Sequence, residues 1–190
     1  MRPRILSLLL VVSLAASTAS AGSIGLFFDP DAASCSGPIA NGSTGRIYII
    51  ALLSDVADVM TVAEFRVDGL PAGWVANLVP NPASNIVLGN PFDGVGCDIA
   101  FPTCQADDNV LLFTVDLLAS TAVSDHYLRV RHRNPPPNPN FPCPLVTECI
   151  APIYDKVCVS GGEAIINPTG PGCTVAVEAT SWSRVKSLYE

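Results

Sequence analysis

Arginine recurs at every second position of one short segment, and this spacing places side chains on one face of a β-strand. Residues 126–133 read HYLRVRHR, and in an extended chain the three arginines share a face with the tyrosine. Such a row can bind the carboxylates or sulfates of a glycan, or an acidic partner. The alternative is a solvated face whose charges pair with Glu64, Arg66 and Asp68 on another strand. The candidate ligand-binding residues are Tyr127, Arg129, Arg131 and Arg133.

Sugar rings can stack on exposed aromatic side chains, and the chain holds only two tryptophans and four tyrosines. Tyr48 and Trp74 lie in segments typical of core strands, and Trp182 belongs to the C-terminal tail. Tyr127 beside the arginines and Tyr154 beside a proline-rich segment remain as candidates. Together they predict a small platform for carbohydrate.

Arrangements typical of catalysis are sparse. The two histidines, His126 and His132, lie about 20 Å apart on one predicted strand, so they cannot share a site. No G-x-S-x-G nucleophile elbow occurs. Asp107 and Asp108 form the only adjacent pair of acids, and such pairs in turns are usually solvated. We therefore expect a protein without enzymatic activity.

The same acids are the one candidate for a structural metal. Together with Asn109 they could join Asp29 or Asp31 at a calcium ion, because hard cations prefer several oxygen ligands. The chain has neither a D-x-[DN]-x-[DN]-G loop nor a C-x-x-C pair. We therefore expect no cofactor, with structural calcium as the alternative.

The N-terminal residues predict export. Arg2 and Arg4 precede a twelve-residue apolar run, ILSLLLVVSLAA, and residues 19–21 supply a small-x-small cleavage pattern. Twelve residues are too few to span a bilayer, which needs about 20. Cleavage after residue 21 leaves 8 basic and 17 acidic residues. This acidic balance argues against nucleic acid as a partner.

Export places the seven cysteines in an oxidising compartment, where cysteines form disulfides. Short loops favour the pairs Cys97–Cys104 and Cys143–Cys149, and two of the other three would then pair. The odd thiol stays free or bonds a second molecule, so a disulfide dimer is an alternative. The seven are Cys35, Cys97, Cys104, Cys143, Cys149, Cys158 and Cys173.

Short strand-like segments separated by glycine and proline turns predict an antiparallel β-sandwich. Residues 46–53 predict a strand that is buried on both faces. Residues 109–119, the longest apolar-biased segment, predict a strand rather than a helix. Residues 134–152 contain seven prolines and predict a stiff loop pinned by disulfides. The other predicted strands are 24–29, 62–68, 74–79, 85–88, 97–101, 126–133, 156–160, 163–167 and 173–178.

The last residues differ in pattern from the rest. Residues 179–190 predict a short amphipathic helix whose apolar stripe includes Trp182, Val185 and Leu188. It would either pack on its own domain or serve as a sorting or anchoring tag. The predicted organisation is a signal peptide at 1–21, a β-sandwich domain at 22–178 and a tail at 179–190.

The order of segments between residues 46 and 133 resembles the cohesin-type β-sandwich, a jelly-roll-like module shared with some carbohydrate-binding modules. RIYIIALL is similar to an early core strand of that family, and NVLLFTVDLLAS to its long strand. The cysteines and the proline-rich segment depart from the family, and an Ig-like sandwich is the alternative. The chain also resembles a group of uncharacterised secreted bacterial proteins that share FRVDGLPAGW, GC-x-IAF-x-x-CQ and CPLV-x-x-C.

Together these features predict a secreted, disulfide-bonded, non-catalytic β-sandwich that acts as an extracellular or cell-envelope binding or structural module. Its partner would be a glycan or an envelope protein, and the mature chain has no transmembrane segment. The cohesin-like pattern implies a carbohydrate-binding module as one alternative. The other is a surface protein that is sorted or assembled through its tail or its spare cysteine.

Overall fold

A computed structural model describes residues 22–53, 59–136, 139–149 and 154–173, which form an all-β sandwich of two sheets. This confirms the predicted fold class. The predicted leader, residues 174–178 of the last predicted strand and the predicted tail helix lie outside these ranges. The thirteen strands are β1 (Ser23–Phe27), β2 (Ser36–Gly37), β3 (Thr44–Leu52), β4 (Met60–Asp68), β5 (Val75–Pro80), β6 (Ile86–Asn90), β7 (Gly96–Gln105), β8 (Asn109–Leu118), β9 (His126–Arg131), β10 (Leu145–Glu148), β11 (Lys156–Cys158), β12 (Ser160–Gly161) and β13 (Glu163–Ile166).

The first sheet has the strand order β12-β1-β3-β8-β5, and only β12 and β1 run parallel in it. β3 and β8 pair along their whole lengths, with a bulge in β8 where Leu112 is the extra residue opposite Ile49 and Ile50. At the bulge, Leu112 and Phe113 are both buried although they are adjacent in the chain. An extra residue in one strand changes the side-chain alternation in this way.

The second sheet has the order β11-β10-β4-β9-β13-β2. In addition, β7 pairs with β4, and β6 pairs with β7. β4 is central to this sheet. Its first residues pair with both β10 and β7, and Arg66, Val67 and Asp68 pair with β9. The side chains on the outer face of β4 are therefore surrounded by three neighbouring strands.

The core lies between the two sheets and is built from alternate residues of each strand. On β4, Ala63, Phe65 and Val67 point inward, as the alternation of VAEFRVD predicts. Phe65 meets Phe113 of the opposite sheet edge-to-face, with ring centroids 6.2 Å apart, a geometry that aromatic pairs prefer. Among the described residues, no helix is long and apolar enough to cross a membrane.

A smaller apolar cluster covers the outer side of the first sheet. Phe27, Ala32, Cys35 and Ile50 form it beneath the loop that follows β1. The carboxylate of Asp29 holds this loop by accepting hydrogen bonds from three backbone N–H groups. Because the loop shields the outer side of β3 at Ile50, the second half of that strand is buried on both faces as predicted, whereas Arg46 near its start is exposed.

The proline-rich segment contains a strand that the sequence does not predict. Leu145–Glu148 forms β10, whose four residues are all buried between β11 and β4. The expectation of a stiff loop throughout 134–152 is therefore wrong in its centre. The four residues LVTE stand between the prolines and can form the ladder hydrogen bonds that proline cannot.

The disulfides differ from the pairs that short loops favour. The structure joins Cys35 to Cys173, Cys104 to Cys149 and Cys143 to Cys158, and Cys97 is a buried free thiol. Cys97 and Cys104 both lie on the extended strand β7, about 23 Å apart by strand rise. Cys143 and Cys149 lie beyond opposite ends of β10. The predictions Cys97–Cys104 and Cys143–Cys149 are wrong because an extended strand holds each pair apart.

Candidate functional site

The outer side of β4 and β9 carries the arginine row that the sequence predicts. Leu128 and Val130 are buried in the core, so the residues that alternate with them point outward. Arg66 and Asp68 of β4 lie opposite Arg131 and Arg129 of β9 in the strand register. We call the resulting surface the arginine face, and its members are Arg66, Asp68, Tyr127, Arg129 and Arg131.

Most charges on the arginine face are paired. Arg66 donates from Nε and Nη2 to the carboxylate of Asp68, at 2.8 and 3.0 Å. Arg129 donates to Glu163 at 3.1 Å and lies 4.8 Å from the centre of the Tyr127 ring. Arg131 is exposed and makes no salt bridge with any described residue. The face is therefore largely paired, with Arg131 unneutralised, but Arg129 pairs with Glu163 and not with the residues of β4 that the sequence offers as its partners.

Arg133 contributes to a different group of charges on the same sheet. It donates to Asp98 at 2.7 Å, while Lys156 forms an ion pair with Glu64. Glu64 and Asp98 are directly opposite each other on β4 and β7. We call Glu64, Asp98, Arg133 and Lys156 the buried charge cluster, because the side chain of Glu64 is only 8% exposed.

The buried charge cluster is incompletely satisfied. Glu64 Oε2, Asp98 Oδ1 and Arg133 Nε are buried without hydrogen-bond partners, and no other side-chain atom in the described ranges is in this position. Burial raises the pKa of the Asp98 carboxyl; the charge of Arg133 opposes this rise and the charge of Glu64 adds to it. Its two acids and two bases form ion pairs that connect β4 to β11, and β7 to the residues after β9.

Apolar side chains border the charged surface at the edge of the second sheet. Ile86 and Leu88 point outward from β6, opposite Ala100 and Asp98 of β7, and are 49% and 59% exposed. β6 is an edge strand with β7 as its one strand partner. We call Ile86 and Leu88 the apolar edge.

The two tyrosine candidates do not form one platform in this arrangement. Tyr127 lies on the arginine face, and Arg129 stacks against its ring. Tyr154 is 60% exposed and lies just before β11, the edge strand beyond β10. Two other strands, β10 and β4, come between β11 and β9 in the sheet order, so the two rings belong to different parts of the sheet.

The histidines and acids singled out for chemistry occupy structural positions. The ring of His126 hydrogen-bonds the carbonyl oxygen of Gly69 at 2.5 Å, and that of His132 the carbonyl oxygen of Arg133 at 2.6 Å. The carboxylate of Asp29 is engaged by its own loop, away from Asp107 and Asp108. Within the described ranges, no three His, Cys, Asp or Glu side chains lie close enough to hold a metal ion.

Sequence reasoning did not find the buried charge cluster. Glu64 is predicted only as part of a wet face, and Asp98 and Lys156 receive no role. The sequence does contain one signal for this cluster. Each of the predicted strands VAEFRVD and GCDIAF has an acidic residue between apolar ones, Glu64 and Asp98. This signal does not tell which residue of one strand lies opposite which residue of the other. The contact between Glu64 and Asp98 therefore could not be inferred.

No family model matches the chain, and no curated protein is similar to it. Solved structures share its fold. A cohesin module of a family 33 glycoside hydrolase from Clostridium perfringens has a TM-score of 0.51 and 13% identity, covering 78% of this chain and 98% of the module. The sixth cohesin of scaffoldin B from Acetivibrio cellulolyticus, in complex with a Cel5 dockerin mutant, has a TM-score of 0.49 and 12% identity, covering 78% and 99%. The likeness to the Clostridium perfringens module confirms the cohesin-like β-sandwich fold.

Proposed function

We propose that the protein is a secreted, non-catalytic binding module that holds an acidic protein partner against the arginine face. Arg131 carries this proposal. It is exposed, it lies directly opposite Arg66, and no carboxylate of the described residues neutralises it. Like charges opposite each other on a sheet are unfavourable. A carboxylate supplied by a partner would pair with Arg131, since the charge of Arg66 is already neutralised by Asp68.

The apolar edge favours a protein over a glycan. Ile86 and Leu88 leave about half of their surface in water, and burying such side chains stabilises a complex by about 25 cal/mol per Å² of apolar area. Protein interfaces combine apolar contacts with charged groups, and the apolar edge lies on the same outer side of the second sheet as Arg131. Because β7 and β4 lie between β6 and β9, the partner we expect presents an acidic side chain and an apolar one about 14 Å apart.

Secretion is supported by the covalent structure. Three disulfides join described residues, and disulfides form and persist mainly in oxidising compartments. The predicted leader at residues 1–21 would direct the chain there. Cys97 is buried in the core, so its position does not favour assembly through an intermolecular disulfide.

The experiment selects peptides on the folded, oxidised protein from a random displayed library and compares binding to two variants. Arg131→Glu reverses the unneutralised charge. Arg46→Glu is the matched control, because Arg46 lies on the first sheet, pairs with Asp116 and is also exposed. We expect enrichment of peptides in which Asp or Glu is about four to five residues from an apolar residue, since that length of extended peptide spans the strands between Arg131 and the apolar edge. Their affinity should fall by about tenfold or more in Arg131→Glu and stay within about twofold in the control.

Equal binding to Arg131→Glu and to the unmodified protein would remove the arginine face from the proposal. A parallel array of neutral and uronic-acid glycans separates the carbohydrate alternative. If glycans bind and Tyr127→Ala abolishes that binding while no peptide is enriched, the protein is a carbohydrate-binding module instead.

A further inference from the structure

A groove of about 370 Å³ lies beside β1, at the point where the chain leaves the first sheet. β12 pairs with β1 in the first sheet, but β13, one residue later, pairs with β9 in the second. The space opened by this crossing is the groove. Its walls include the apolar residues Leu26, Phe27, Leu52 and Ile165, together with the ring of Tyr127.

Within the part of the chain that the structure describes, one edge of β1 is without a strand partner along this groove. Gly162 N–H donates to the carbonyl of Ile24 and Ser160 N–H to that of Gly22, so the even-numbered residues face the β12 side. The backbone groups of Leu26 point the same way, because alternate residues of a strand do. The pairing of β12 with β1 ends at Ile24. Leu26 therefore directs its amide and carbonyl at the groove with no strand opposite it in the described ranges.

The segment that follows the described chain starts at this groove. Cys173 lines it and is fixed there by the disulfide to Cys35, which also lines it. The next residues read TVAVE, an alternating, valine-containing run that predicts a strand. Val175 and Val177 fall on one face of that strand, which suits the apolar walls.

We propose that residues 174–178 of the same chain occupy the groove and pair with the free edge of β1 at Leu26. Five extended residues span about 16 Å, and the stretch from Gly25 to Phe27 needs about 10 Å, so the segment is long enough without a linker. The added strand satisfies the backbone of Leu26, a residue that is fully buried and so needs its polar groups paired within the protein. It also borders Tyr127 at one end of the arginine face.

The test is amide hydrogen exchange at Leu26, measured by NMR on the full oxidised chain and two variants. Ala176→Pro removes a backbone donor and blocks strand pairing within the proposed segment. Lys186→Pro is the matched control, since it lies beyond the segment and leaves residues 174–178 intact. We expect exchange at Leu26 to be slow in the unmodified chain and in the control, and faster by on the order of 100-fold in Ala176→Pro.

Fast exchange at Leu26 in all three proteins would overturn the proposal. So would slow exchange in all three, because protection would then come from elsewhere in the domain. A truncated variant that ends after Cys173 lacks the proposed strand altogether. Its Leu26 amide should exchange as fast as that of Ala176→Pro. If protection in the unmodified chain is lost on dilution and light scattering shows a dimer, a second copy covers the edge and the proposal fails.

Discussion

Asp98 is the residue whose ionisation should be visible in the stability of the whole domain. Burial raises the pKa of its carboxyl in the folded protein, whereas the unfolded value is about 3.9. Between these two values the folded state binds the proton more tightly than the unfolded state. The free energy of unfolding should therefore fall as pH rises through this window.

Urea unfolding at steps from pH 4 to pH 7 measures this decline, and Asp98→Asn should lack it. Asp116→Asn is the control. The hydrogen bond from Arg46 lowers the pKa of Asp116, so Asp116 titrates below the window and its variant should keep the decline. If the free energy of unfolding falls with pH equally in Asp98→Asn and in the unmodified protein, Asp98 is not the cause of the decline.

The side chain of Asn167 hydrogen-bonds the segments around Ile39 and Val123 and so joins both to its own segment. Its amide accepts from the backbone N–H of Ile39 at 2.7 Å and donates to the carbonyls of Ile39 and Val123 at 2.9 and 3.0 Å. Its φ of 51° is in the left-handed region, which asparagine tolerates better than most residues. Asn167→Ala should lower the free energy of unfolding by about 2–4 kcal/mol, since it loses the hydrogen bonds and strains the backbone.

Asn167→Gly separates these two causes, because glycine accepts the positive φ but makes none of the side-chain bonds. Urea unfolding should place it between the unmodified protein and Asn167→Ala. If both variants unfold at the midpoint of the unmodified protein, the three hydrogen bonds contribute nothing measurable.

Where the chain crosses from β12 to β13, Gly161 packs so closely against β9 that a larger residue does not fit. A Cβ on Gly161 would lie 2.2 Å from the carbonyl oxygen of Val130, a backbone atom that cannot turn away. Gly161→Ala should therefore push β12 from β9 and lower the free energy of unfolding by about 1–3 kcal/mol.

Gly170→Ala is the matched control for this substitution, because nothing lies within 4 Å of its added Cβ. It should leave the urea midpoint unchanged. Equal midpoints for Gly161→Ala and Gly170→Ala would mean that the crossing adjusts without cost, and that its close packing does not determine the path of the chain.

The strands that the sequence predicts well are those with a clear alternation or a long apolar run. VAEFRVD gives the inward face of β4, and residues 109–119 give β8 almost to its end, because burial on one or both faces leaves these patterns in the sequence. β10 has only four residues between prolines, and its burial results from pairing with β4, a contact distant in sequence. Local pattern contains no information about such pairing.

The candidate site shows the same division. The outward direction of Tyr127, Arg129 and Arg131 follows from alternation within one strand, and the structure agrees with it. The partners of those residues depend on which strand lies alongside and in which register. For this reason Glu163 as the partner of Arg129, and Asp98 as that of Arg133, could not be predicted.

At the scale of the whole molecule, the disulfides connect parts of the chain that are far apart in sequence. Cys35–Cys173 closes a separation of 138 residues, against 45 for Cys104–Cys149 and 15 for Cys143–Cys158. In the chain-entropy model, a cross-link stabilises by restricting the unfolded state, from about 3 kcal/mol for a 15-residue loop to about 5 kcal/mol for one above 100 residues. The other bridges shorten the loop between Cys35 and Cys173 but leave it the longest.

Replacing each pair by serines should therefore lower the free energy of unfolding most for Cys35 and Cys173 and least for Cys143 and Cys158. Urea unfolding without reductant measures the order. Iodoacetamide labelling controls for rearranged bridges, because burial raises the pKa of the Cys97 thiol and should keep it unlabelled until the protein unfolds. If the order is reversed while Cys97 stays unlabelled, native contacts around each bridge outweigh loop entropy. In that case the apolar cluster of Phe27, Ala32 and Ile50 beside Cys35 would stabilise the folded protein less than the packing of β10 and β11 beside Cys143 and Cys158 does.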